Sequence, residues 1–308
     1  MQTEILLESG TNELEIMEFT IAGELFGINV AKVREIMKIS GVKKMQHTHP
    51  AIEGIFKPRD EVLTVVDLAT YLGLPHSENN ERDIFIVTTF NRLNFAFHVH
   101  SVVGIDRISW TQIQKPDPII YGGDDGIATG IAQCENRLIT ILDFEKIIAE
   151  ISPQTGIQLA DIDRLGPRER NEKPMLVVDD SMLLSRMITE ALHRSGYNNT
   201  TQLNNGQEAW DFLKEARDAS VKDGDAIENR VACLISDIEM PQMDGHRLTK
   251  MVKGDPVLKK IPVILFSSLI SEEMRVKGRE VGADEQITKP EIAGLVNIID
   301  RLTEDIPT

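Results

Sequence analysis

Four short runs in the second half of the chain, three of them apolar, each stop on a polar residue of a particular kind. Met175-Leu176-Val177-Val178 ends in Asp179-Asp180. Val231 to Ile235 stops at Asp237, and a Met-Pro-x-Met-Asp-Gly turn follows at once. Val263-Ile264-Leu265-Phe266 ends in Ser267, and Glu285 to Thr288 ends in Lys289-Pro290. Between the runs lie helical patterns, and strands that alternate with helices imply a parallel sheet. An open sheet of this kind builds its site where buried strands deliver side chains at their C-terminal tips. As neighbours, the runs bring three carboxylates, one hydroxyl and one ammonium to one edge.

The intervening segments fit that arrangement. Ser181 is an N-cap candidate, followed by the stripe Leu184, Met187, Ile188, Ala191 and Leu192 at helical spacing. Asn198 to Leu203 reads as a second strand and Gly206 to Ala219 as a second helix, with residues 220–230 as a loop. Asp244-Gly245 opens a helix to about Lys253, and Ser271 with Glu272 and Glu273 opens another. Pro290 starts the last, with Ile292, Leu295, Val296 and Ile299 facing inward. Residues 174–304 therefore read as a doubly wound α/β domain of five strands and five helices.

The strand tips define a chemistry. Mg²⁺ takes oxygen ligands in octahedral geometry and keeps several waters. Asp180, Asp237 and the backbone carbonyl of Glu239 suit it, and Asp179 either holds a water or touches the metal directly. Asp237 is then placed to attack phosphorus, with Ser267 donating a hydrogen bond to a phosphoryl oxygen and Lys289 supplying a point charge. A strand-end aspartate alone is more often a cap. The order and spacing carry the argument: Asp237 follows Asp180 by 57 residues, Ser267 follows by 30 and Lys289 by 22.

The first half is organised differently. Short β-rich runs between turns fill residues 14–150, and two patterns recur. Leu63-Thr64-Val65-Val66-Asp67-Leu68 matches Ile139-Thr140-Ile141-Leu142-Asp143-Phe144 at an offset of 76. Phe26-x3-Val30-x2-Val33-x2-Ile36 matches Phe95-x3-Val99-x2-Val102-x2-Ile105 at an offset of 69. Two matches in the same order indicate two related β-subdomains, each too small for a generous core alone. Asp67 and Asp143 sit at equivalent strand ends, which suits turn or helix-cap duty. His47, His49, His76, His98 and His100 show no complete set of metal ligands. Residues 1–13 read as a polar tail, and residues 151–173 as a linker in which Ile157, Leu159, Ile162 and Leu165 form a short stripe.

Charge and composition exclude other classes. The chain of 308 residues has a net charge of −16, and both halves are acidic, so nucleic acid is not an expected partner. No run approaches the roughly 20 apolar residues of a membrane span. The first ten residues lack a basic signal-peptide start, and the expected compartment is the cytoplasm. Cys134 and Cys233 each lie in or beside an apolar run and read as buried free thiols.

Two resemblances sharpen this reading. Phe19, Phe26-Gly27-Ile28, Val33-Arg34-Glu35-Ile36, Gly54 to Asp60, Val65-Val66-Asp67-Leu68 and Leu72-Gly73-Leu74 resemble the CheW coupling domain of bacterial chemotaxis. That implies two interlocked five-stranded, SH3-like β-barrels that bind the histidine kinase CheA and the tip of a chemoreceptor. The family's Asn-Leu-Arg-Gly stretch aligns on Lys57-Pro58-Arg59-Asp60 and keeps only the arginine. Arg59 is the candidate receptor contact, and a solvated turn arginine is the alternative. The aspartate, serine and lysine set is similar to that of response-regulator receivers, which implies the flavodoxin-like order 2-1-3-4-5 and phosphotransfer from a kinase phosphohistidine to Asp237. Gln286 replaces the family's switch aromatic, so no ring swings inward there. Glu239 places an acid two residues past the acceptor, where it can hinder the hydrolytic water.

Only Glu304 to Thr308 follow the receiver-like segment, which leaves the first half as the expected output. A CheW-like half followed by a receiver resembles the CheV-type chemotaxis coupling proteins. The resemblance implies a signalling adaptor rather than an enzyme. It would link chemoreceptors to CheA at arrays on the inner face of the membrane and adapt through phosphorylation of Asp237. The alternative is a phosphate sink tethered to the array.

Overall fold

The computed structural model describes residues 13–306 other than 47, 78–81, 91–92, 110–111, 115–125, 135–136, 154–159, 164, 167, 241, 269, 271, 290 and 305. The tail before residue 13, His47, Ile157, Leu159, Ser271 and Pro290 therefore lie outside the described residues.

The coupling half contains β1 (Glu13–Ile21), β2 (Glu24–Asn29), β3 (Val33–Lys38), β4 (Ile52–Phe56), β5 (Leu63–Asp67), β6 (Ile84–Phe90), β7 (Leu93–Val99), β8 (Ser101–Ser109), β9 (Ile113–Gln114), β10 (Ala128–Cys134) and β11 (Arg137–Leu142). It also contains the helices α1 (Leu68–Leu72) and α2 (Phe144–Ile151). The sheets run β8-β1-β2-β11-β10-β9 and β3-β6-β7-β5-β4. These are one order repeated, since the repeat makes β2 equivalent to β7 and β5 equivalent to β11. The units interlock: β2 of the first pairs in parallel with β11 of the second, and β7 of the second with β5 of the first. The two-residue strand β9 brings the first sheet to six strands where five were expected.

Between the sheets lies one core, in which Phe19, Phe26, Phe97 and Phe144 meet Ile147, Ile148 and Ile151 of α2. Phe97 and Phe144 pack edge to face with ring centres 4.7 Å apart. Burying α2 between two small sheets supplies the apolar area that neither sheet has alone. Asp67 and Asp143 cap α1 and α2 as their repeated positions suggested: Asp67 accepts from the amides of Ala69 and Thr70, and Asp143 from that of Lys146.

After the short linker helix α3 (Ala160–Asp163) comes the α/β half. Its strands are β12 (Met175–Val178), β13 (Thr200–Leu203), β14 (Cys233–Ser236), β15 (Val263–Ser267) and β16 (Glu285–Thr288). Its helices are α4 (Met182–Arg194), α5 (Gly206–Asp223), α6 (Gly245–Gly254), α7 (Glu272–Glu280) and α8 (Ile292–Thr303). The sheet is wholly parallel in the order β13-β12-β14-β15-β16, with apolar cores on both faces.

Several details depart from the sequence reading. The helix α5 runs four residues past Ala219 and stops where Gly224 takes φ 70°, a left-handed cap. Ile227 then buries into the core, so residues 220–230 are only partly loop. The second part of the linker is packed rather than merely connecting. Ile162 and Leu165 join the core on one face of the α/β sheet, and Asn171 bridges to Tyr197. Both cysteines are free thiols. Cys233 is buried as expected, whereas Cys134, at the end of β10, is half-buried.

Candidate functional site

The sheet brings the predicted strand tips together. Asp179 and Asp180 follow β12, Asp237 follows β14, and Lys289 follows β16. The carboxylates of Asp179, Asp180 and Asp237 each have an oxygen within 4.8 Å of the others. Lys289 is buried, with Nζ 2.9 Å from Asp179 Oδ2 and 3.2 Å from Asp237 Oδ2. Local geometry fixes each group. Asp179 Oδ1 accepts the Ser181 amide, and Asp237 Oδ1 accepts the Ile238 amide. Ser181 caps α4 through the amide of Leu184. The loop after Asp237 is pinned by the buried Met240 and Met243. Gly245 opens α6 against it, where a Cβ would lie 2.1 Å from the Asp237 carbonyl oxygen.

Ser267 is buried at the end of β15. Its neighbour Ser268, which the sequence pattern did not single out, also brings a hydroxyl to the site, donated to Glu145. Arg59 stands apart, exposed in the turn between β4 and β5. Gln286 is held against α7: its amide donates to the Arg275 carbonyl at 2.9 Å, over the missing side chain of Gly278. The described histidines of the coupling half have other partners. His98 lies between Glu53 and Asp83, and His100 accepts the Ala22 amide.

Two further residues complete the site, and both come from the coupling half. Glu145, in the first turn of α2, accepts the Ser268 hydroxyl at 2.7 Å on Oε1 and the Lys289 ammonium at 3.1 Å on Oε2. Lys32, on the 3-10 turn after β2, lies 3.2 Å from Glu145 Oε1 and 3.7 Å from Glu239 Oε2. A cavity of about 50 Å³ beside this contact is lined from both halves, by Asn29, Lys32 and Gly130 on one side and Asp180 and Glu239 on the other. A glutamate in a first helical turn reads from sequence as a dipole complement, so nothing local marked Glu145. The repeat did carry a signal: at the equivalent position of the first unit stands Ala69.

The electrostatics follow from burial and crowding. Burial, Asp237 and Glu145 raise the Asp179 pKa to about 7 against the opposing pull of Lys289. Burial raises Glu239 to about 7 in the same way, with Lys32 opposing. Asp180 is pushed well up, again chiefly by burial. Burial disfavours the charged form of Lys289, but Asp179, Asp237 and Glu145 outweigh it and raise its pKa. Burial also works against the Glu145 carboxylate, yet Lys289 and Lys32 hold its pKa at about 2. Among the described residues, the α/β half offers four acids at this point (Asp179, Asp180, Asp237 and Glu239) against Lys289. One Glu239 oxygen is buried without a hydrogen-bond partner. An all-oxygen donor set with excess negative charge fits a hard divalent cation.

Comparison with known proteins agrees with this division. Residues 15–152 match the CheW-like domain family, and residues 175–300 match the response regulator receiver domain family. The fold and site thus define a receiver joined to a chemotaxis coupling domain. The chain is 30% identical over 292 residues to the chemotaxis protein CheV3 of Helicobacter pylori, covering 90% of this chain and 91% of that protein. Chemotaxis protein CheV1 of the same organism is 22% identical, over 95% of this chain and 94% of its own. Among solved structures, the receiver domain of the histidine kinase CKI1 from Arabidopsis thaliana, complexed with Mg²⁺, is similar at 24% identity. That match covers 42% of this chain and 91% of that one, with a TM-score of 0.39. This chain belongs to the CheV family of chemotaxis coupling proteins, which are signalling adaptors. No helix among the described residues is long and apolar enough to cross a membrane.

Proposed function

We propose that the α/β half, residues 174–304, accepts a phosphoryl group on Asp237 from a phosphohistidine of the kinase CheA. The coupling half, residues 14–150, would join that kinase to chemoreceptors at arrays on the inner face of the membrane, with Arg59 as a receptor contact. Phosphorylation then adjusts the coupling and adapts the response. The observation that carries this reading is the buried Lys289 between Asp179 and Asp237 at the end of a parallel sheet.

In the transfer step a carboxylate oxygen of Asp237 attacks phosphorus. The new O–P bond forms as the P–N bond of phosphohistidine breaks, and the electron pair returns to the imidazole nitrogen, which takes up a proton. Asp179, Asp180 and Asp237, with the backbone carbonyl of Glu239, would hold Mg²⁺. When bound, the cation offsets repulsion between these acids and the phosphoryl oxygens. The Ile238 amide orients the acceptor through Oδ1. Lys289 neutralises charge on the transferred group, and Ser267 donates to a phosphoryl oxygen.

Incubating the full chain with ³²P-phosphorylated CheA and Mg²⁺, then mapping the label, tests this. Label is expected on Asp237 and is expected to vanish in Asp237→Asn. Label elsewhere, or retained in that variant, would refute it. The contact between the halves at the acceptor favours regulation over a tethered phosphate sink, which has no use for a coupling half seated on its acceptor.

A further inference from the structure

Glu145 and Lys32 do not merely border the acceptor pocket; they meet the groups that a phosphoryl–cation pair would need. A phosphoryl group on Asp237 requires an ammonium and hydroxyl donors for its oxygens. Glu145 already takes the ammonium of Lys289 and the hydroxyl of Ser268. Its Oε2 and the Asp237 Oδ2 contact the same Lys289 nitrogen, at 3.1 and 3.2 Å. A divalent cation requires the acids around Asp180 and Asp237. The Lys32 ammonium approaches from that side, 3.7 Å from Glu239 Oε2 and lining the same cavity as Asp180. We propose that Lys32 and Glu145 form an internal ion pair that stands in for the cation and the phosphoryl group, so that the coupling half is a competitive ligand of its own receiver.

Exclusion runs both ways. While the pair is seated, Asp237 is closed to a kinase, since its side chain, Asp179 and Lys289 are each about 1% exposed. Once a phosphoryl group is in place, it and Glu145 are like charges competing for one ammonium. The coupling half must then leave, freeing the face of Lys32 and the start of α2 for other partners. Buried ion pairs suit such a switch, because desolvation cancels much of their attraction and leaves the closed state only modestly favoured. The repeat supports a dedicated role. The equivalent of Glu145 is Ala69, buried in the core, so the fold accepts alanine at this helical position.

This inference rests on Asp237 being the phosphoacceptor, and the experiment separates the two claims. Calorimetric titration of the full chain with Mg²⁺ is expected to give about tenfold tighter binding for Glu145→Ala and for Lys32→Ala than for wild type. The docked fraction that suppresses apparent affinity is then removed. Glu145→Gln, which keeps shape and loses charge, is expected to behave likewise, so a folding defect cannot produce the result. Beryllofluoride with Mg²⁺, a phosphoryl mimic, is expected to increase the wild-type radius of gyration in X-ray scattering. Wild-type Mg²⁺ affinity in all three variants, or an unchanged radius, would overturn the inference. If Asp237 takes label from CheA while the affinities are equal, this claim fails and the proposed function stands. If Asp237 takes no label in wild type or in Glu145→Ala, both fall.

Discussion

The helices α1 and α2 begin alike and end up with different duties. Each follows the equivalent strand, each is capped by an aspartate, and each turns a large apolar residue, Leu68 or Phe144, into the central core. They part at the next position. Ala69 of α1 is buried among apolar neighbours, whereas Glu145 of α2 reaches into the other half of the protein and holds Lys289 and Ser268. One duplicated framework thus gives a purely structural helix in one unit and a charged probe in the other. The backbone does not decide between them; what the next residue faces does.

The largest effect is expected from forcing the two helices to agree. Ala69→Glu places a carboxylate where the described neighbours are apolar, and an unpaired buried charge costs at least about 3–5 kcal/mol. Denaturant unfolding is expected to show the coupling half losing most of its stability. The reverse change, Glu145→Ala, is expected to leave that half within about 1 kcal/mol of wild type, since alanine is the best helix former. Equal losses in both variants would mean the two positions are not alternative solutions on one scaffold.

This asymmetry also marks where the sequence stops being informative. The α/β half was legible because four of its five strands are short runs with a diagnostic end, and a parallel sheet brings such ends together. The repeat made the two-unit plan of the coupling half legible, and the recurrence of Asp67 at Asp143 gave both caps. Contacts between the halves leave no such periodic trace. Glu145 and Lys289 are 144 residues apart, and neither sits in a pattern that requires the other. Only the mismatch between Ala69 and Glu145 hinted at a contact. The extension of α5 to Asp223 was missed because Gly224, which reads as loop, is in fact its cap. The packed part of the linker was missed because Ile162 and Leu165 make too short a stripe to distinguish core from connection.

A smaller effect distinguishes the caps. Asp67 accepts two amides and also the Thr70 hydroxyl, while Asp143 accepts the Lys146 amide. Burial raises the Asp143 pKa, and the neighbouring Glu145 adds to this, so part of its capping benefit is offset. Asp67→Ala is expected to cost about 1 kcal/mol in thermal unfolding of the coupling half, and Asp143→Ala less. A larger loss for Asp143 would show that its place beside the receiver stabilises the junction rather than straining it.

The smallest effect is one of pH and separates the two units at another repeated position. Asn29 at the end of β2 caps the turn that carries Lys32 by accepting the Ala31 amide. Its equivalent at the end of β7 is His98, whose ring nitrogens lie 2.9 Å from Glu53 and 3.0 Å from Asp83. Burial disfavours the charged ring, but the hydrogen bonds to Glu53 and Asp83 and the charges of Glu53 and Asp67 outweigh it, raising the pKa above 6.5. A folded-state pKa above the unfolded one contributes stability that is full below the unfolded value and fades as pH rises through the folded value. Thermal unfolding of the full chain is therefore expected to weaken from neutral toward alkaline pH, by roughly 1 kcal/mol or less for this ring. Replacing the ring with the residue of the first unit, His98→Asn, is expected to remove that slope. A variant that keeps the wild-type slope would show that the ring is neutral in the folded protein, and that Glu53 and Asp83 hold it as a hydrogen-bond donor rather than as a cation.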